Sequence, residues 1–316
     1  MSKTIRRILV ISISCIVVGA VLFAAGTWMG GETGFYINRT GFHSSRELRE
    51  ASGKQLAVLE KTELDSFRSM DIETDYNDIE ILPSEDGRYY LEYRLYTYGS
   101  EPQYHVSQDT LTFQCIQNPQ TQMNVAGFMV WNTNSSREQG VVRVYVPNDL
   151  PLQAVSLTNS DGNLQYNGPD ADIFQITSSY GNVNLTGRKA GQITIGASDG
   201  TIVCHSVECD RLQLENHYGE TDLGDITASE LKIDVSDGAV TMKLIDTGIV
   251  DIVNQYGSVD GKAVIADVFS LKMSDGSCSL KQADLKQADL ENSYGSLDIE
   301  LTGVEEDYNY DLKNTY

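Results

Sequence analysis

Two hydrophobic patterns divide this chain. Ile8 to Gly30 is an apolar run without a charged residue; at about 1.5 Å per helical residue it is long enough to cross a bilayer core of about 30 Å. Beyond residue 153 the pattern becomes apolar residues at every second position, and the whole pattern returns at one constant step. One column reads Val155, Phe174, Ile193, Leu212, Leu231, Val250, Phe269 and Ala288, and a second, two residues on, runs from Leu157 through Leu214 to Leu290. Spacing by two puts both columns on one face of a strand and the polar residues between them, such as Gln213 and Lys232, on the other. A second wall reads Leu164, Val183, Ile202, Val240, Val259 and Leu297, and a shorter third wall reads Val207, Ile226, Ile245, Val264 and Ala283. A lone coil of this kind leaves its backbone groups unpaired, so the repeat predicts stacked coils.

Between the first two walls a corner recurs at the same step, with Gly162, Gly181, Gly200, Gly219, Gly238, Gly257, Gly276 and Gly295. Glycine is expected there because a tight turn takes positive φ, which only a residue without Cβ adopts freely. The residue before it alternates Asp161, Tyr180, Asp199, Tyr218, Asp237, Tyr256, Asp275, Tyr294. The tyrosines therefore stand two coils, about 9.6 Å, apart. Asn216, Asn254 and Asn292 precede the tyrosine corners, whereas Ala197, Val235 and Met273 precede the aspartate ones.

These patterns predict an all-β fold, a single-stranded parallel β-helix or β-solenoid with 19-residue coils, preceded by one N-terminal transmembrane helix. Residues 1–7 form a cytoplasmic N-terminus, 8–30 a signal anchor, and 31–65 a stalk with a short helix around Ser45 to Lys61. Residues 66–153 form irregular opening coils, because Met70, Ile72, Asn77, Ile79 and Ile81 match the walls and corner in spacing. Residues 116–140 are a polar loop inserted in them, and 154–316 are the regular solenoid. Within the loop, Val125 to Trp131 is an apolar island, expected as a lid on the tube, with Phe128 and Trp131 as candidate ligand contacts. Tyr310, Leu312, Asn314 and Tyr316 repeat the opening of a tyrosine coil, so an incomplete last coil is expected.

Charge supports an outward-facing domain. Lys3, Arg6 and Arg7 precede the apolar run and no acidic residue does, so the positive-inside rule places the N-terminus in the cytoplasm and the rest outside. Ala24-Ala25-Gly26 leaves a cleaved signal peptide as the rival. The part beyond residue 31 holds 20 basic against 45 acidic residues, a net charge of −25 that opposes nucleic-acid binding. Cys204, Cys209 and Cys278 fall on inward columns and are expected as buried small hydrophobes.

Chemistry is sparse. His43, His105, His205 and His217 share no metal-ligand spacing, and no nucleotide loop or nucleophile elbow is present. No catalytic residue, metal or cofactor is assigned. Asp222, Asp260 and Asp298, in alternate coils, suggest a polysaccharide lyase or hydrolase as an alternative, but a catalytic pair is a local exception and these recur as a ladder. The edge Tyr180, Tyr218, Tyr256, Tyr294 is the candidate ligand-contact surface: rings at roughly disaccharide spacing suit stacking on a cell-wall glycan.

The apolar segment, the Met70 to Ile81 opening, Val144-Tyr145-Val146-Pro147 and the Ser-Asp-Gly and Ser-Tyr-Gly corners together resemble the bacterial putative-adhesin family, membrane-anchored β-strand-repeat proteins with a domain of unknown function. The resemblance covers residues 66–316. It implies a non-catalytic β-helical domain of the cell envelope, common in Gram-positive bacteria and sometimes encoded beside stress-response genes. Expected partners are the membrane through residues 8–30, and a cell-wall glycan or another envelope protein. An accessory role in envelope-stress signalling is the further alternative.

Overall fold

A computed structural model describes residues 3–31, 34–38, 41–44, 55–97, 101–116, 121–126, 129–132, 140–303 and 309–314. The chain divides into two compact units.

The first unit contains the helix Lys3–Trp28 and a small antiparallel sheet. The stretch Ile11–Trp28 has a mean hydropathy of 2.0, and among the described residues this is the one helix long and apolar enough to cross a membrane. It ends where Gly30 takes φ +90° and the Gly31 amide donates to the Gly26 carbonyl at 2.8 Å, a glycine-dependent helix stop. The sheet runs in the order Met129–Asn132, Thr121–Ala126, Gly34–Asn38, Gly41–Ser44. Strands thus occupy part of the expected stalk and of the expected loop. Pairing sets the rungs Phe35↔Met123 and Trp131↔Asn124. Phe128 and residues 45–54, most of the expected short helix, lie outside the described residues. Gln55–Leu64, which includes the end of that expected helix, is a strand.

The second unit is the β-solenoid. On its first wall Met70, Val155, Phe174, Ile193, Leu212, Leu231 and Val250 are successive partners in one parallel ladder. On the second, Ile79, Leu164, Val183, Ile202, Thr221 and Val240 follow one another. The third joins Val207, Ile226 and Ile245. From residue 154 to residue 256 every rung advances by the same step, so each inward column stacks on itself, and Leu157, Ile195, Leu231, Ile252, Phe269 and Leu280 are all at most 1% exposed. A buried side chain of this size contributes roughly 1.5–3 kcal/mol, repeated coil after coil. The final step is longer, because Ala288, Leu290 and Asn292 pair with Tyr310, Leu312 and Asn314.

A second corner separates walls two and three. Ser206, Asp225, Leu244, Ala263 and Gln282, each one coil after the last, take φ between +53° and +56°, and Gly187 precedes them at +68°. Only one of these six residues is glycine, so this turn carries no consistent residue type.

The opening coils are out of chain order. Ser69–Thr74 lies between Leu152–Asp161 and Thr110–Cys115, parallel to both. Asn77–Ser84 likewise lies between Leu164–Tyr166 and Gly140–Pro147. Residues 110–115 and 140–147 therefore form the outermost coil although 69–84 precede them. Cys115 is level with Thr74 and Gly140 with Asn77, so the insertion leaves and re-enters this coil where its corner would be. Antiparallel strands finish the stack: Gln103–Ser107 against Thr110–Cys115, and Tyr89–Thr97 against Gly140–Pro147 with Gln55–Leu64 beyond. Gln108 and Asp109, at φ +51° and +58°, make the two-residue turn such a hairpin needs. The reversed strands end the parallel ladder and leave Gln55–Leu64 and Gln103–Ser107 as its outer strands.

Candidate binding edge

The glycine corner recurs at one step through the regular coils and lines one edge of the stack. From Gly162 to Gly238 each corner amide donates to the carbonyl of the residue before the next glycine, as in Gly200 to Tyr218 at 3.1 Å and Gly238 to Tyr256 at 3.0 Å. The glycines therefore stack backbone on backbone. A Cβ on Gly200 would lie 2.2 Å from the Gly181 carbonyl oxygen, and one on Gly238 1.9 Å from that of Gly219. Seven of the eight have φ between +127° and +150°; Gly238 does not lie in the left-handed region. Close approach between coils, more than turn conformation, is thus the reason common to the regular corners.

The alternation of corner residues has an internal cause. Asn216 is fully buried and donates through Nδ2 to the Gly200 carbonyl at 3.1 Å and the Glu220 carbonyl at 3.2 Å. Asn254 does the same to Gly238 and Ser258, at 3.3 and 3.4 Å, and Asn292 reaches Gly276 at 3.2 Å. In the coils between, Ala197, Val235 and Met273 fill the same buried place. The asparagine of each of these three tyrosine corners therefore pairs the carbonyl of the aspartate corner behind it, a buried acceptor that is costly to leave alone. This role was visible in sequence only as a correlation.

Outward, the tyrosines do not seal the edge. Tyr180, Tyr218, Tyr256 and Tyr294 are 57–63% exposed, and Asp199, Asp237 and Asp275 between them are exposed as well. An open groove of about 490 Å³ runs along this edge, with Tyr256 between Asp237 and Asp275 and with Ser258, Ser277 and Ser296 on its far side. Aromatic faces, carboxylate acceptors and hydroxyls thus recur along one line, a set suited to a polyhydroxylated chain.

The other candidates lie elsewhere. Trp131 is in a strand of the first unit. Asp222 lies 3.1 Å from His205 Nε2, and Asp260 accepts a hydrogen bond from Ser258 at 3.1 Å, both on the outer face of wall two. Cys204, Cys209 and Cys278 are free and buried, and burial pushes their thiols up to about 12, 11 and 12. They serve as small core side chains.

Stacked parallel coils of constant length with a glycine corner define a repeat β-solenoid. The chain belongs to the Toastrack DUF4097 family, whose profile matches residues 67–248. Among solved structures it is similar to a putative adhesin from Parabacteroides distasonis, at 13% identity over 80% of this chain and 96% of that one, with a TM-score of 0.47. It is also similar to a putative adhesin from Bacteroides fragilis, at 15% identity over 78% and 99% with a TM-score of 0.45. A putative lipid binding protein from Parabacteroides distasonis gives 12% identity over 83% and 98%, with a TM-score of 0.42. No curated protein matches the chain.

Proposed function

We propose that this protein is a non-catalytic scaffold of the cell envelope, held in the membrane by its apolar helix with the solenoid outside, and that its tyrosine edge holds a linear wall glycan. The observation that carries the reading is the exposure of four tyrosines, 57–63% each, at every second corner of a rigid stack. A ring left that open beside carboxylates offers an apolar face to a sugar and acceptors to its hydroxyls. Their spacing of about 9.6 Å repeats as a glycan repeats. The anchor rests on the helix Lys3–Trp28 and the basic residues at its start.

The test is to mix the full chain, in phosphatidylcholine nanodiscs, with isolated cell walls and measure the bound fraction beside a Tyr218→Ser, Tyr256→Ser, Tyr294→Ser variant. Loss of at least tenfold in the variant is expected. Equal binding by both, or none by either, overturns the glycan reading.

A further inference from the structure

Four cations of the solenoid follow one rule. Lys189 pairs with Glu208, Arg211 with Glu230, Lys272 with Glu291 and Lys286 with Asp267. In each pair the partner stands one coil away, on the neighbouring rung, as cross-strand charges are best placed. On the outer face of wall two, by contrast, Lys243, Lys262 and Lys281 occupy three successive rungs of one column. All three are exposed, and among the described residues none has a carboxylate within ion-pair reach, Glu300 at the end of the column included. Like charges directly opposite oppose pairing. Three other acids share this face, and none is within ion-pair distance of a lysine of the column: Asp260 accepts from Ser258, Asp222 faces His205, and Asp298, two residues before Glu300, is exposed. Thr241 and Ser279, two residues before Lys243 and Lys281, add hydroxyl donors to the stripe.

We infer that the Lys243, Lys262, Lys281 column is an anion-binding stripe for a linear phosphodiester polymer of the envelope, a ligand distinct from the glycan of the tyrosine edge. Three ammonium groups with rung spacing of about 4.8 Å offer successive point charges to a flexible chain of phosphates. Phosphate is well served by lysine, which needs no planar fork. No aromatic side chain interleaves the three lysines in their column, so the stripe reads charge along a backbone and has no platform for stacking bases. The net charge of −25 beyond residue 31 opposes a polyanion at long range, so binding rests on the short-range contacts of these three lysines.

The test uses the full chain in phosphatidylcholine nanodiscs and a labelled poly(glycerol phosphate), followed by fluorescence anisotropy. With three lysine–phosphate contacts the logarithm of affinity should fall with that of salt at a slope of about −2, so affinity drops about 15-fold between 50 and 200 mM salt. Lys243→Gln, Lys262→Gln, Lys281→Gln should weaken binding at least tenfold and flatten the slope. The matched variant Lys189→Gln, Lys272→Gln, Lys286→Gln removes the same charge from paired positions and should bind like the parent. Equal loss in both variants, no loss in the first, or no binding at 50 mM overturns the inference. An oligothymidylate that binds as tightly as the polymer overturns the assignment to an envelope polymer. The tyrosine variant should retain polymer binding, so failure of the glycan reading and failure of this one are separable.

Discussion

Gly238→Ala tests what holds the coils together. The added Cβ would sit 1.9 Å from the Gly219 oxygen and 2.9 Å from its carbonyl carbon. Ordinary contact begins near 3.4 Å, so the two corners must part locally by about 1.5 Å. That separation breaks the Gly219 amide to Asp237 carbonyl bond of 3.2 Å and strains the Asn254 bond to the Gly238 carbonyl at 3.3 Å. Each lost bond costs about 1 kcal/mol, and an acceptor left buried and unpaired costs about 1–3. A total of about 3–5 kcal/mol follows, in the range of severe single substitutions. Gly238 is the right position because its φ is not left-handed, so turn strain does not contribute. Gly187→Ala supplies the opposite control, with φ +68° and nothing within 4 Å of the new Cβ, and should cost only the left-handed penalty of about 1–2 kcal/mol. Urea unfolding gives the two energies, and native-state hydrogen exchange locates the damage at the amides around residues 219 and 238. If Gly238→Ala costs no more than Gly187→Ala, backbone contact is not what demands glycine at this corner.

Two further outcomes follow from the second corner and the core. Leu244 holds φ +56° with its side chain 63% exposed, so Leu244→Gly removes strain and little packing and should raise stability by about 1 kcal/mol in urea unfolding; a loss of stability would refute the strain. Burial raises the thiols of Cys204 and Cys278 from 9.0 to about 12, so the fold favours their protonated forms. Their contribution is complete below pH 9 and is lost as pH rises toward 12. The drop in urea midpoint between pH 8 and pH 10.5 should therefore shrink in a Cys204→Ala, Cys278→Ala variant, and an unchanged drop would remove the thiols from the account.

The regular solenoid was legible because its physics is periodic. Alternation at two residues assigns faces, and a constant step assigns partners, so the sequence pattern alone stacks Phe174, Ile193 and Leu212 as the structure does. The glycine corner was visible for the same reason, since a backbone contact repeated in every coil excludes every side chain. Alternating tyrosine and aspartate likewise marked the candidate edge, although the exposure that makes it a surface comes from the tertiary structure. The lysine column was equally open to reading, but its meaning lies in the contrast with the four rung-paired cations, which only side-chain positions reveal.

What local sequence did not contain was decided by long-range pairing. The second corner tolerates Ser206, Asp225, Leu244, Ala263 and Gln282 because the walls on both sides hold its backbone, at a cost of about 1–2 kcal/mol for each left-handed residue. Residues 34–38, 41–44, 121–126 and 129–132 form one sheet because they find each other across the whole opening of the solenoid in sequence, a pairing no short window can show. The outermost coil is built from 110–115 and 140–147, reached after the coil it covers, because an antiparallel return from Tyr89–Thr97 delivers the chain to the free end of the stack. Periodicity determines which residues face inward and which coil follows which; where the stack begins, how its end is closed and what the insertion pairs with depend on contacts between distant segments, and those exist only in the folded chain.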